Sequence, residues 1–201
     1  MTPLTAADLI PYLEYEKVRE AYRSRMIALK QRRRITVGDR ITLVFENRDT
    51  VRFQIQEMVR AERIIEPSKV QDELDVYNKL LPAPGELSAT LFIEITGRDR
   101  LKEELDAFLG IDRGKTVAIQ AGTDITYAEF EGGHSKEDKL SAVHFVRFRI
   151  PGAWIGRLAP GNDPVRLGVT HGLYTVQATV PDAMKSEWLV DLAGSGIYSQ
   201  R

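Results

Sequence analysis

The residues best suited to chemistry in this chain crowd into one stretch, residues 47–63, NRDTVRFQIQEMVRAER. Asn47, Arg48, Asp49, Arg52, Gln54, Gln56, Glu57, Arg60, Glu62 and Arg63 surround only a few apolar anchors. On a helix Arg52, Gln56 and Arg60 fall at four-residue steps and form one ridge, and Phe53, Glu57 and Ala61 form the next. Guanidinium forks beside a side-chain amide make a receptor for a carboxylate or phosphate. Arg48, Asp49, Arg52, Gln56, Glu57 and Arg60 are therefore the candidate ligand- or partner-binding set. The competing reading is structural. The same groups could pin an N-terminal helix, the loop at 82–84 and the strand carrying Glu86 and Glu94, and such ion-pair networks imitate sites. Glu57 and Arg60 either pair with each other or face a ligand.

A second constellation comprises Glu129, Glu131, His134, Glu137, Asp138 and His144. Carboxylates and imidazoles are the ligands for iron, manganese or zinc when thiolates are absent, and Glu131 with His134 is the candidate metal pair. The two straddle Gly132-Gly133, a turn, so they are not a ligand pair on one helical face. His144 is in register with Val146, Phe148 and Ile150 and reads as a core histidine. The segment 110–116, GIDRGKT, has three residues between its glycines where a phosphate loop has four. A helix precedes it and a strand follows, so no helix N-terminus faces a phosphate. The basic run at 30–34, with Lys17, Arg19, Arg23 and Arg25 behind it, could lie along phosphates. Acids interleave with it and no aromatic platform accompanies it. It reads as a solvated helix end, and nucleic-acid binding is not expected. There is no Gly-x-Ser-x-Gly elbow and no serine–histidine–aspartate set to assemble.

The elements that must position these groups follow from periodicity. Thr5 and Asp8 form a capping-box pattern, and Pro11 suits the first turn of a long helix. In that helix Tyr15, Val18, Tyr22, Met26 and Leu29 make an apolar stripe, with Glu14/Lys17, Glu16/Arg19 and Glu20/Arg23 paired on the wet side. A turn at Gly38-Asp39 leads to a strand of Ile41, Leu43 and Phe45. Asp49 or Thr50 then caps a helix with Val51, Ile55, Met58 or Val59, and Ile65 inward. A further helix spans 68–81 and stops at Pro82 and Pro84-Gly85. Strands follow at 87–95, 117–121, 125–131 and 143–150, with helices at about 99–109 and 137–142. A hairpin of 165–170 and 173–180 and a last helix of 181–193 complete the chain. Helices come early and strands late, which predicts an α+β fold with N-terminal amphipathic helices packed with a largely antiparallel sheet.

The chain has 201 residues, 43% hydrophobic and 28% charged, with a net charge of −1. That is the size and balance of one folded domain, with a helical part over about 5–34 and a mixed body over about 35–201. With no cysteine, disulfides, thiolate zinc sites and cysteine-ligated clusters are excluded, while a metal on carboxylates and histidines remains open as a cofactor. No basic leader or long apolar run is present, which predicts a soluble, cytoplasmic protein that does not enter a membrane.

Three blocks, IALKQRRRITVGDRITLVFENRDTVRFQIQEMVRAERI, LPAPGELSATLFIEI and AVHFVRFRI, resemble an uncharacterised bacterial family catalogued as a domain of unknown function (DUF 3501). The resemblance covers most of the chain and fades after Pro151. It implies no catalytic residues. It does imply a setting, because genes of that family often lie beside rubrerythrin-type di-iron proteins and a cysteine-rich iron–sulfur protein. The expected function is thus an accessory or binding component of a redox or peroxide-stress module, with a di-iron or iron–sulfur protein as partner. The alternative is a small-molecule enzyme using either the carboxylate/histidine metal site or an arginine-lined anion pocket.

Overall fold

The computed structural model describes residues 1–95, 101–132 and 141–194. Eight strands form one antiparallel sheet. They are β1 (Arg34–Val37), β2 (Ile41–Glu46), β3 (Glu86–Ile93), β4 (Val117–Ala121), β5 (Asp124–Phe130), β6 (Val143–Arg149), β7 (Val165–His171) and β8 (Tyr174–Thr179). Their order is β1-β2-β3-β6-β5-β4-β7-β8. β5 is the joint between the two halves, because its first residues pair with β4 and its last with β6. The two edge strands, β1 and β8, come back into contact, so the sheet curls into a nearly closed barrel. Bringing the two edges together shields part of the backbone that an open sheet would present.

Alternation dictates what fills the barrel. Ile41, Leu43, Phe45, Leu87, Leu91, Val146, Phe148, Ile119 and Leu167 all point inward and are buried. His144 is cross-strand partner to Leu91, shares that inner face, and meets Phe130 edge-on at 5.7 Å. Helices plug both ends. Phe108, just beyond α4 (Leu101–Asp106), packs against Tyr174 beside the β7–β8 turn. At the other end Trp188 of α5 (Asp182–Leu192) lies 4.6 Å from Phe45. Burying such an indole removes about 150–250 Å² of surface from water, of order 4–6 kcal/mol.

The outside is covered on one half only. α2 (Arg48–Ala61) and α3 (Pro67–Tyr77) lay Val51, Ile55, Val59 and Leu74 in a second cluster that reaches Phe145 on the outer face of β6. β2 is consequently buried on both faces. α1 (Tyr12–Arg32) stacks on α2 through Tyr15, Tyr22, Met26 and Leu29, with Phe53 against them. No helix among the described residues covers the outward faces of β5, β4, β7 and β8. Among the described residues no helix is long and apolar enough to cross a membrane.

Several expectations change in detail. The α2 cap is Asn47, whose side chain accepts from Asp49 N and Thr50 N while Thr50 Oγ1 accepts from Asn47 N; Asp49 and Thr50 are already inside the helix. Ile64, not Ile65, turns inward, because Arg63 adopts φ 54° and rotates the chain, leaving Ile65 exposed. Val18 is likewise exposed. Residues 78–80 tighten into a 3₁₀ turn rather than continuing α3. β1 pairs with β2 from Arg34 onward, a strand that the basic run conceals. The helix expected at 137–142 falls largely outside the described residues.

Candidate functional site

The structure gathers the candidate residues of α2 along the seam with α1 and the N-terminal arm, and each faces a partner within the chain. Arg48 meets Asp8 at 2.7 Å. Arg52 Nε donates to Tyr22 Oη at 3.1 Å, and its Nη2 donates to Asp49 Oδ1 at 3.1 Å. Gln56 is almost wholly buried; it accepts from Ile10 N at 2.8 Å and donates to Ile10 O at 2.9 Å, splicing the main chain before α1 onto α2. Glu57 accepts a two-pronged contact from Arg19 at 2.9 and 2.7 Å and a third bond from Tyr15 Oη at 2.7 Å. The Arg19 contact holds the Glu57 carboxyl below the usual carboxylate range. Burial, reinforced by Glu57, pushes the Tyr15 hydroxyl well above the ordinary phenol range. Arg60 reaches Glu16 at 2.8 Å. Glu57 and Arg60 therefore pair with α1 rather than with each other, and Glu16 and Arg19 leave the intrahelical pairing that their spacing suggested. Arg52, Gln56 and Arg60 share a ridge, and that ridge is the clamp for α1.

Of the proposed metal pair, Glu131 borders the end of β5, its N–H donating to Phe145 O at 2.9 Å. His134 lies outside the described residues. Among the described residues no three histidine or acidic side chains cluster as metal ligands would. The segment 110–116 runs from α4 into β4, the reverse of a phosphate loop.

Two groupings escaped the sequence. The first is buried. Arg33, from the middle of the basic run, is fully enclosed. Its Nε donates to Phe45 O at 2.7 Å, its Nη2 to Glu46 O at 3.3 Å and to Asp191, and its Nη1 to Glu187 Oε2 at 3.1 Å. It ties the C-terminus of α1 to β2 and α5. Arg32 joins the same Glu187 at 2.8 Å. The run is thus only partly a solvated face. Burial pushes the Asp191 carboxyl up to about 6, with Arg33 opposing, and burial likewise raises Asp49.

Asp191 carries a stability signature. Its unfolded value is 3.8 and its native value is raised to about 6, so the native state binds the proton more tightly. The resulting stability is fully present below pH 3.8 and is lost as pH rises through about 6, at most about 3 kcal/mol. Glu57, held low, acts in the opposite sense and only in acid. The wild-type urea midpoint should therefore rise on moving from pH 7.5 to about 5, and Asp191→Asn should flatten that rise. A flat wild-type profile over that window would show Asp191 ionised throughout.

The second grouping is the uncovered outer face of β5, β4, β7 and β8. It holds a cleft of about 510 Å³ lined by Lys115, Gln120, Tyr127, Arg166, Gly168 and Gln177, with threonine hydroxyls along one side. Lys115 Nζ stands 4.9 Å over the Tyr127 ring. Among the described residues no carboxylate lines the cleft, and none pairs with Lys115 or Arg166. In the sequence these positions look like the wet side of ordinary strands; the one available signal was a glycine at the centre of β7.

Fold and site together define an α+β protein: a nearly closed antiparallel barrel, helix-clad on one side and open and cationic on the other. The chain belongs to the family described as a protein of unknown function (DUF3501), whose model matches residues 3–192. It is similar to a crystal structure of a novel protein of unknown function from Burkholderia pseudomallei. The two share 32% identity over 95% of this chain and 100% of that one, with a TM-score of 0.86. No curated protein matches.

Proposed function

We propose that the chain is a binding component rather than a catalyst, an accessory protein of a bacterial redox or peroxide-stress module working in the cytoplasm. Its partner in this reading is a rubrerythrin-type di-iron protein or an iron–sulfur protein, a setting suggested by the family resemblance. The observation that carries the binding reading is the open cationic face. Its cleft is lined by hydroxyls, amides, an aromatic ring, the apolar Ile125 and two cations, Lys115 and Arg166, a set that holds and orients a bound group. The polar residues of α2 serve this reading indirectly, by fixing α1 on the opposite side. Arg52→Glu would set a carboxylate beside Asp49 and strip Tyr22 of its donor, so it disturbs the α1–α2 seam and not the binding face.

The test mixes the purified chain with each candidate partner and follows sedimentation velocity at low and moderate salt. A heteromeric species is expected that weakens with salt. The Lys115→Glu/Arg166→Glu variant should lose it while keeping the wild-type melting midpoint, because both side chains are exposed. Failure of both partners to form a complex at micromolar concentration sinks the redox-partner reading.

A further inference from the structure

We infer that the cleft on the open sheet face is a site for a small planar organic anion, with Gly168 as the residue that keeps it open. This rests on the reading of that face as the binding face and specifies what enters its centre.

The cross-strand register builds the site row by row. Ala118 is paired with Tyr127 on one side and Gly168 on the other, and Gly168 is paired with Gln177. One row across four strands thus reads Tyr127, Ala118, Gly168, Gln177. The next row reads Ile125, Gln120, Arg166, Thr179 by the same pairings. Strands lie about 4.8 Å apart, so the two smallest side chains sit side by side at the middle of the face. Taller groups stand around them: Tyr127 with Lys115 against it, Gln120, Arg166 and Gln177. The floor is flat and the walls are polar on most sides and aromatic on one.

Neither a left-handed backbone nor a close neighbour calls for glycine at position 168, and the unbroken pairing on both sides of it shows no bulge. It is not among the glycines with positive φ. A Cβ built on it would have its nearest neighbour, Val176 O, at 3.8 Å, an ordinary contact. Glycine in a strand interior weakens the strand, by about 0.5–1 kcal/mol against alanine, and commonly marks close approach of a ligand or another backbone. The cost is incurred on the floor of the cleft, where a side chain would fill the space above Ala118 and its neighbours.

The walls specify the guest. Lys115 and Arg166 bring two positive charges, with no lining carboxylate among the described residues to neutralise them, which calls for an anion, a carboxylate or a phosphate. A flat floor beside an aromatic ring calls for a planar, weakly polar body lying over Ala118 and Gly168. Gln177, Thr170 and Thr175 add hydrogen-bonding groups along the far wall. The cleft volume is that of a small-molecule site, and the occupant is accordingly a free small molecule.

The experiment titrates the full chain with phenyl phosphate and benzoate and reads backbone amide shifts. Benzyl alcohol supplies the ring without the charge, and inorganic phosphate the charge without the ring. Phenyl phosphate or benzoate should bind with a Kd on the order of 0.1–1 mM, as fragments of this size do, moving the amides of Ala118, Gly168 and Gln177. The better of the two names the anionic head group. The ring-only and charge-only probes should bind at least about tenfold more weakly, since a charge-assisted contact is worth roughly tenfold or more. Gly168→Val should abolish binding while leaving the melting midpoint equal to or above wild type, because valine favours strands. A Gly168→Val protein that binds as well as wild type overturns the inference. So do equal affinities for all four probes, or shifts that map elsewhere. If no probe binds while Lys115→Glu/Arg166→Glu still abolishes the partner complex, the small-molecule site falls and the protein-docking reading stands.

Discussion

Replacing Arg33 with methionine should lower stability by about 3–5 kcal/mol, the loss expected when one side of a buried ion cluster is deleted. For a chain of this length that is a fall in melting midpoint of roughly 10 °C. The guanidinium is fully buried and serves four acceptors at once. Methionine fills much of the volume but leaves the carbonyls of Phe45 and Glu46 without this donor. It also leaves Glu187 and Asp191 without the buried cation that faces both. Asp191 is already displaced upward to about 6, and without the opposing cation it should take up its proton at still higher pH. The loss should therefore be larger at pH 7.5 than at pH 5, where the carboxyl can neutralise itself. Arg33→Lys keeps the charge but has no fork to reach carbonyls and carboxylates together, so it should recover only part of the loss. Urea denaturation at the two pH values decides the matter. A loss below about 1 kcal/mol, or the same loss at both pH values, would mean that solvent or Arg32 takes over the cluster.

Arg33 also shows where sequence reading stops. Its neighbours Arg32 and Arg34 are half-exposed and pair with Glu187 and Glu94, so the run at 30–34 looks uniform from composition. Only the turn from α1 into β1 drives one of its members inward, toward carboxylates more than 150 positions away. Strands were legible because alternation is local: seven of the eight lie where the pattern of Ile, Leu, Val and Phe put them. β1 was not, being four residues long with Arg34 and Thr36 facing out. The polar face of α2 was legible as a ridge, and its alternative role, pinning the N-terminal helix, could be stated from spacing. Which acid met which base could not, because Glu57 and Arg60 exchange near neighbours for Arg19 and Glu16 on another helix. The open face was invisible for the same reason in reverse. Its residues are drawn from four strands, and on each strand taken singly they are the usual solvent side.

The seam between β1 and β8 leaves no room for a side chain at position 38, and Gly38→Val should cost about 3–4 kcal/mol. Gly38 turns the β1–β2 hairpin with φ +73°, where a residue with a Cβ is disfavoured by about 1–2 kcal/mol. The Cβ would also collide with Tyr174 Oη and lie 3.1 Å from Val176 Cγ2. That hydroxyl is the bolt between the two edges of the sheet. It donates to Val37 O at 2.6 Å and accepts from Arg40 N at 3.2 Å, joining β8 to the β1–β2 hairpin. Displacing it leaves a carbonyl and an amide without this partner, adding about 1–3 kcal/mol. The two contributions separate in a cycle. In a Tyr174→Leu background the steric conflict with the hydroxyl is gone, so Gly38→Ala should then cost only the backbone share, about 1 kcal/mol. In the wild-type background the same Gly38→Ala change should cost clearly more. Additive losses in the double variant would mean that the ring moves aside freely and that β1 and β8 are held together without it. Non-additive losses, with amide exchange rising along both edge strands in Gly38→Val, would locate the seam of the barrel at Tyr174.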